Sequence, residues 1–190
     1  GNNWFDAALG KNVYCTDDST VNTIGNTGKA GKMSPRNMWA TTITDELRLS
    51  NNFKSKVIGV ALKDRGAILP AGHSANAAYW YDEGKWITSD FYEKDLPEWV
   101  KKINAVDTVS KIMRQDWNTL FPLSDYTLST ADDKPYEGKI KGENTVTFPH
   151  KLSQITDKQK YEAFRTTPFA NGFTFNFAKA VIANERLGKN

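Results

Sequence analysis

The sequence predicts an α/β fold, and two adjacent segments carry that prediction. Residues 57–62 are apolar throughout and rich in β-branched side chains, which is typical of a parallel strand buried on both faces. Before them, apolar residues recur at helical spacing, at Met38, Trp39, Ile43 and Leu47. A helix followed by a buried strand is half of a βαβ unit, so we expect a mainly parallel core with flanking helices.

The remaining elements follow from capping and turn signals. The first helix is expected to begin at Ser34-Pro35, a favoured N-cap followed by a favoured first residue, and to end near Leu49. Residues 76–89 predict a β-hairpin around a glycine-containing turn. Further helices are predicted over residues 96–105, 106–116 and 172–187, the last stopped by Gly188.

In two regions the apolar residues follow neither helical nor strand periodicity. Residues 15–32 carry three regularly spaced glycines without a Walker motif or a preceding strand, which favours a solvated connector over a phosphate-binding loop. Residues 122–150 are polar, rich in turns and long for a plain loop, which favours an insertion or cap over the core. We therefore expect part of the core with the hairpin at 1–105, the insertion at 106–165 and a C-terminal helix returning to the core at 166–190.

Composition excludes several classes of protein. The 190 residues carry a formal net charge of +3 without a concentrated basic run, which argues against a nucleic-acid-binding module. Mean hydropathy is −0.58, and no apolar stretch approaches the roughly 18 residues that a membrane span needs. The 12% of aromatic residues is too high for a disordered tail, and Cys15 as the single cysteine excludes an internal disulfide.

The ends indicate a piece of a longer protein. There is no initiator methionine and no targeting segment, and Gly1 leads directly to the aromatic pair Trp4-Phe5. If the sheet is incomplete, its open strand edges would invite dimerisation or strand swapping.

The chemistry is expected where the apolar strand ends. Lys63-Asp64-Arg65 follows it directly, and ligands of open α/β sheets bind at the carboxyl ends of strands. Strand alternation would point Lys63 and Arg65 to one side, where a point charge and a planar fork suit a dianionic group. The alternative is that both are ordinary surface charges, with Asp64 pairing one of them.

The sequence supports a metal site or an aromatic ligand-binding surface less well than it supports the Lys63 and Arg65 site. A catalytic zinc site needs about three histidine or carboxylate ligands, and neither His73 nor His150 has such a partner at ligand spacing, so both are expected to be structural. An aromatic cluster could stack on a sugar or a base, although packing into the core is the more usual role of such a hairpin. Its members are Tyr79, Trp80, Tyr81, Trp86 and Tyr92.

Several motifs in order resemble the alkaline phosphatase superfamily, and more narrowly the bacterial PafA-type phosphatases, close to the nucleotide pyrophosphatase/phosphodiesterases. They are residues 32–35, 41–47, 57–65 and 69–73, with the opening Gly-Asn-Asn-Trp-Phe-Asp and the tail at 167–180. The resemblance is dense over 1–105 and 165–188 and weaker over 106–160.

The resemblance implies an α/β phosphatase with two zinc ions and a threonine or serine nucleophile that forms a phospho-enzyme. It also implies an asparagine and a Lys-x-Arg pair on the phosphoryl oxygens. These fall on Asn2 (with Asn3 as the second choice), Lys63 and Arg65. No position of this chain matches the family's nucleophile or zinc ligands.

The predicted function is therefore a fragment of a zinc-dependent phosphomonoesterase, periplasmic or secreted by resemblance and inactive on its own. Its substrate would be a small phosphate ester. Two alternatives stay open. One is a phosphodiesterase or nucleotide pyrophosphatase of the same superfamily, and the other is a non-catalytic module that binds a glycan or a protein partner through the aromatic hairpin and residues 122–150.

Overall fold

A computed structural model describes residues 2–189, and the chain divides into two compact units. Unit 1 comprises Gly1–Val106 and Thr174–Asn190, and unit 2 comprises Asp107–Phe173. The α/β class is confirmed. The predicted three-part division of the chain stays a prediction.

Unit 1 contains the six strands that residues 2–189 form. They are β1 (Asn3–Asp6), β2 (Lys11–Tyr14), β3 (Thr23–Ile24), β4 (Ile58–Ala61), β5 (Ala77–Asp82) and β6 (Lys85–Ser89). A β1–β2 hairpin stands by itself, and the other strands form one sheet in the order β3-β6-β5-β4. Only the pair β4–β5 is parallel among these described strands, so the four-stranded sheet is mixed and the expectation of a mainly parallel core is wrong.

The helices are short, apart from the last. They are α1 (Ile43–Ser50), α2 (Asp64–Ala71), α3 (Glu98–Asn104), α4 (Thr108–Ile112), α5 (Asp157–Phe164) and α6 (Phe169–Asn184). Unit 2 holds α4, α5 and the first residues of α6, together with two single-turn 3₁₀ helices at Leu123–Asp125 and Leu152–Gln154. In residues 2–189, none of the helices has both the length and the hydrophobicity that crossing a bilayer requires.

The predicted hairpin is confirmed, and it forms the centre of the core of unit 1. Glu83 and Gly84 turn the chain with positive φ, and the strands on either side bury their aromatic rings. Trp86 stacks on Phe177 of α6 at a centroid distance of 4.2 Å. Tyr79 meets the same phenylalanine edge-on at 5.5 Å. The rings therefore pack in the core rather than presenting a stacking surface.

The predicted start of the first helix is wrong. Ser34 is fully buried and donates its hydroxyl to Asp18 across 2.6 Å, so it closes a loop instead of capping a helix. The helix begins eight residues later, where Thr42 and Asp45 form a reciprocal capping box. Trp39, expected on the apolar face, is 98% exposed.

Three further expectations need correction. The strand over 57–62 pairs in parallel, as predicted, but β4 is half-buried along its whole length rather than buried on both faces. The region 15–32 is not a solvated connector, because it contains β3, follows β2 and buries Thr16 and Asp18. The last helix starts at Phe169 and ends at Asn184, earlier than the predicted 172–187.

Candidate active site

Lys63 and Arg65 lie at the junction where β4 ends and α2 begins. Lys63 is the extended N-cap residue of α2, and its carbonyl accepts hydrogen bonds from the amides of Gly66 and Ala67 at 3.0 and 3.1 Å. Arg65 is the second residue of the helix. The alternation argument is therefore wrong, because the strand stops at Ala61 and the helix turns Arg65 away from strand geometry.

The junction still concentrates positive potential at the carboxyl end of a strand. Lys63 is exposed, and within residues 2–189 its ammonium group has no hydrogen-bond or ion-pair partner. The amino-terminal end of α2 adds the positive end of a helix dipole at the same place. A free ammonium group next to a helix amino terminus is suited to bind an anionic group.

Arg65 is held by residues from a distant part of the chain. Its Nη1 donates to the Tyr14 hydroxyl at 3.0 Å. That hydroxyl donates to Asp64 Oδ1 at 2.8 Å, and the other oxygen of Asp64 accepts from the Thr16 hydroxyl at 3.0 Å. Asp64 pairs with neither Lys63 nor Arg65 in the described part of the chain, contrary to the surface-charge alternative.

These contacts shift the pKa values of Tyr14 and Arg65. Burial raises the pKa of Tyr14, and the neighbouring Asp64 carboxylate adds to that rise against the opposing effect of Arg65. The hydrogen bond to Tyr14 raises the pKa of Arg65. The phenol therefore keeps its proton and the guanidinium keeps its charge.

Asn2 is exposed and lies on the strand ladder that carries Tyr14. Its carbonyl accepts the Cys15 amide at 2.9 Å, and the β1–β2 register pairs Asn3 with Tyr14. The backbone of Asn2 is therefore next to the residues that bind Asp64 and Arg65, although some sixty positions separate them in the sequence. Gly1 of the same motif lies outside the described residues.

Tyr14 and Thr16 are the site residues that sequence reasoning missed. Tyr14 is the last residue of β2 and Thr16 lies in the turn that follows it, so strand alternation does not mark the two as a pair. Nothing local in the sequence connects either residue to Lys63 and Arg65.

The histidines are structural in different ways. His73 places Nδ1 3.3 Å from Asp45 and Nε2 2.8 Å from the carbonyl of Met38, so both ring nitrogens are occupied. His150 has a carboxylate partner outside metal-ligand spacing, because its Nδ1 lies 2.7 Å from Glu143, seven positions earlier in the chain. No group of three or more histidine, cysteine or acidic side chains in residues 2–189 is arranged to hold a metal ion.

Unit 2 contains an open cavity of its own, about 1170 Å³ in volume. Leu120, Leu123, Tyr126 and Phe148 contribute apolar and aromatic surface, and Asp132 lies at its wall. This cavity is the concave surface that the binding-module alternative would use.

Comparison with known proteins identifies the class. No protein-family model matches the chain. The chain is 52% identical to a protein of Synechococcus elongatus named alkaline phosphatase PhoV, over 100% of the chain and 34% of the relative. It is 47% identical to alkaline phosphatase PafA of Elizabethkingia meningoseptica, over 99% of the chain and 35% of the relative. A Myroides odoratus protein named calcium-transporting ATPase is also 52% identical, over 100% of the chain and 35% of the relative.

The fold agrees with the sequence matches. The crystal structure of wild-type PafA superposes with a TM-score of 0.95 at 45% identity, covering 100% of this chain and 37% of that one. Over its whole length the chain therefore matches a segment of proteins of the alkaline phosphatase superfamily. Within it, the chain corresponds to a segment of the PafA-type phosphatases, and it spans about a third of the length of the curated relatives it matches.

Proposed function

We propose that the whole protein containing this chain hydrolyses phosphate monoesters, with Lys63 and Arg65 binding the nonbridging phosphoryl oxygens. The observation that carries the proposal is the pair of cations at the β4–α2 junction, in a chain that superposes on PafA with a TM-score of 0.95. Preorganised cations that face developing negative charge are among the largest contributions to phosphoryl transfer.

The two cations have different roles in this proposal. Arg65 is anchored through Nη1 to Tyr14, so the guanidinium binds from a fixed position. Lys63 is exposed on a flexible stem and supplies a mobile point charge. Asn2 would add a neutral amide donor from the neighbouring β1–β2 ladder.

A second solved PafA structure supports this assignment. In that variant alanine replaces an asparagine, a lysine and an arginine, and serine replaces a threonine. The lysine and the arginine are separated by one residue, as Lys63 and Arg65 are.

The charge count favours monoesters over diesters. A monoester presents a dianionic phosphoryl group, whereas a diester carries a single negative charge and a second bulky substituent. Two cations two positions apart match the first better than the second. A phosphodiesterase remains the second candidate within the same superfamily.

Zinc is part of the proposal for the whole protein, and we assign no zinc ligand to this chain. Alkaline phosphatases are metalloenzymes, and zinc would supply nucleophile activation and charge neutralisation. The donor set of residues 2–189 does not fit a metal ion, since no cluster of three or more ligating side chains forms there. The role assigned to this chain is therefore to bind and orient the phosphoryl group, in a protein that we place in the periplasm or outside the cell.

The proposal is tested in the full-length protein by kcat/KM for p-nitrophenyl phosphate, bis-p-nitrophenyl phosphate and ATP. ATP is included because one relative is named an ATPase. Arg65→Ala is expected to lower monoester kcat/KM by about 100-fold and diester kcat/KM by about tenfold, since a preorganised donor contributes about that much. Lys63→Ala is expected to act in the same direction.

Matched controls are the exposed cations Lys102 and Arg114. Their alanine variants should keep the parent rates on all three substrates. Equal losses on monoester and diester in Arg65→Ala would remove the proposed phosphoryl-binding role. Faster turnover of the diester or of ATP by the parent protein would favour those substrate classes instead.

A further inference from the structure

A continuous chain of hydrogen bonds runs from the core of unit 1 to the guanidinium of Arg65. It starts at Thr16, which is 0% exposed, and passes through Asp64 and Tyr14. The donor–acceptor distances of its three hydrogen bonds are 3.0, 2.8 and 3.0 Å, all within the usual range. A buried residue at one end therefore fixes the position of a charged group at the other.

The direction of each bond is set by chemistry. An ionised carboxylate only accepts, so both Thr16 and Tyr14 must donate to Asp64. The single proton of the Tyr14 hydroxyl is thereby committed to Asp64. Its oxygen is left to accept from Arg65 Nη1, and a guanidinium only donates.

This arrangement leaves most of the guanidinium available. Of its five N–H donors, only one on Nη1 has a partner among residues 2–189. Arg65 is thus anchored at one nitrogen while the other donors remain free for oxygens of a ligand. An unanchored arginine would have to lose its side-chain freedom on binding, which would weaken its hold on the ligand.

The phenol is protected against losing its proton. Burial and the Asp64 carboxylate raise the pKa of Tyr14, so the hydroxyl stays neutral in alkaline solution and keeps both of its hydrogen bonds. A serine or threonine could not reach as far from β2, and a phenylalanine would fill the space without the oxygen.

We propose that Tyr14 is a positioning residue for the phosphoryl-binding arginine: its hydroxyl, oriented by Asp64, accepts from Arg65 and holds the guanidinium ready for the substrate. The inference rests on the proposed function of Arg65. Tyr14 itself touches no reacting atom in this account, and acts through Arg65 alone.

The test is a double-mutant cycle in the full-length protein with p-nitrophenyl phosphate as substrate. Tyr14→Phe is expected to lower kcat/KM by about tenfold, the equivalent of one hydrogen bond to a charged group. In the Arg65→Ala background the same substitution should change kcat/KM by less than about twofold, because the residue that it positions is gone.

A matched control is Tyr161→Phe, since Tyr161 also donates its hydroxyl to a carboxylate, Asp107, at 2.9 Å, and is not a member of the hydrogen-bond chain described above. It should leave kcat/KM unchanged. Asp64→Asn serves as a second variant, because it retains the shape of the side chain but weakens the acceptor that orients Tyr14. Asp64→Asn should lower kcat/KM when Arg65 is present and should have little effect in the Arg65→Ala protein.

The outcomes separate the two proposals. If the parent has no phosphatase turnover, or Arg65→Ala keeps full activity, the proposed function fails and this inference fails with it. If Arg65→Ala is impaired but Tyr14→Phe and Asp64→Asn keep the parent kcat/KM, only the inference is overturned. An equal loss for Tyr14→Phe with and without Arg65 would show a structural effect and would overturn it as well.

Discussion

Glu143 Oε2 lies 2.7 Å from His150 Nδ1, and both side chains are almost completely buried, at 6% and 8% exposure. The imidazole ring also packs against Trp117 and Phe148, at centroid distances of 4.9 and 4.6 Å. Unit 2 has little regular secondary structure, so this polar pair inside an aromatic cluster is a principal restraint on the segment that carries it.

Removing Glu143 should therefore destabilise unit 2. Glu143→Ala leaves a buried ring nitrogen without its acceptor, which costs about 2 kcal/mol in the free energy of unfolding. Urea unfolding measures the change. The control is Glu162→Ala, because Glu162 pairs with Lys141 at the surface, where both side chains are more than half exposed. That variant should change stability by less than about 0.5 kcal/mol, and equal losses in the two variants would contradict the prediction.

Asp18 is a buried carboxylate that stabilises the loop between β2 and β3. Burial alone would raise its pKa, but hydrogen bonds from Ser34, Thr20 and Arg36 outweigh burial and lower the pKa to about 2. A carboxyl with a lowered pKa in the folded state contributes stability above its unfolded pKa of about 3.9, and that contribution is lost as the pH falls.

The predicted consequence is a loss of about 2 kcal/mol of stability from Asp18 between about pH 4 and pH 2. Asp18→Asn removes the titrating group, so the free-energy difference between the native chain and this variant should be largest near pH 6 and shrink toward pH 2. Denaturant titrations across this range provide the measurement. Parallel stability curves for the two proteins would show that Asp18 does not contribute in this way.

Gly59 sits where β4 packs most closely on α2. A Cβ at this position would lie 2.1 Å from the carbonyl oxygen of Ala67, far inside contact distance and against backbone that cannot rotate away. Because β4 and α2 together carry Lys63 and Arg65, Gly59→Ala should destabilise the chain by about 3 kcal/mol and displace the site.

A second glycine provides a control with the opposite sign. Gly172 lies in α6 and is exposed, and a Cβ added there would meet no atom within 4 Å. Gly172→Ala should stabilise the chain by about 0.5–1 kcal/mol, through the better helix propensity of alanine. Thermal unfolding of both variants checks the pair of predictions, and a Gly59→Ala protein as stable as the parent would refute the first.

Local signals predicted the elements that local chemistry determines. The β5–β6 hairpin follows from Glu83-Gly84 between two apolar segments, and α3 follows from Pro97, the residue directly before it. The first helix was misplaced because Ser34-Pro35 resembles a helix start, whereas the Ser34 hydroxyl binds Asp18, sixteen positions away in the sequence. A hydrogen bond between residues so far apart in the sequence does not alter the periodic pattern of apolar residues from which a helix is predicted.

The same distinction applies to the site. Lys63 and Arg65 could be chosen as candidates from the sequence because they directly follow an apolar strand. Tyr14 and Thr16 could not, because they meet Asp64 and Arg65 from about fifty residues away through a separate hairpin. His150 was missed as a paired residue because its partner Glu143 lies at a spacing of seven, which matches no metal-ligand or capping pattern.

The last prediction concerns the 190-residue chain by itself. Cations can stabilise a transferring phosphoryl group, but they supply neither the attacking group nor its activation. Because residues 2–189 provide no cluster of metal-ligating side chains, added zinc has no built site here. The chain should therefore release p-nitrophenol from p-nitrophenyl phosphate no faster than a blank of buffer with zinc.

The chain with both Lys63→Ala and Arg65→Ala is the control, and it should be indistinguishable from the unmodified chain. Turnover that exceeds the blank and disappears in this double variant would mean that the segment contains a complete phosphatase site. It would contradict the proposal that this chain only binds and orients the phosphoryl group.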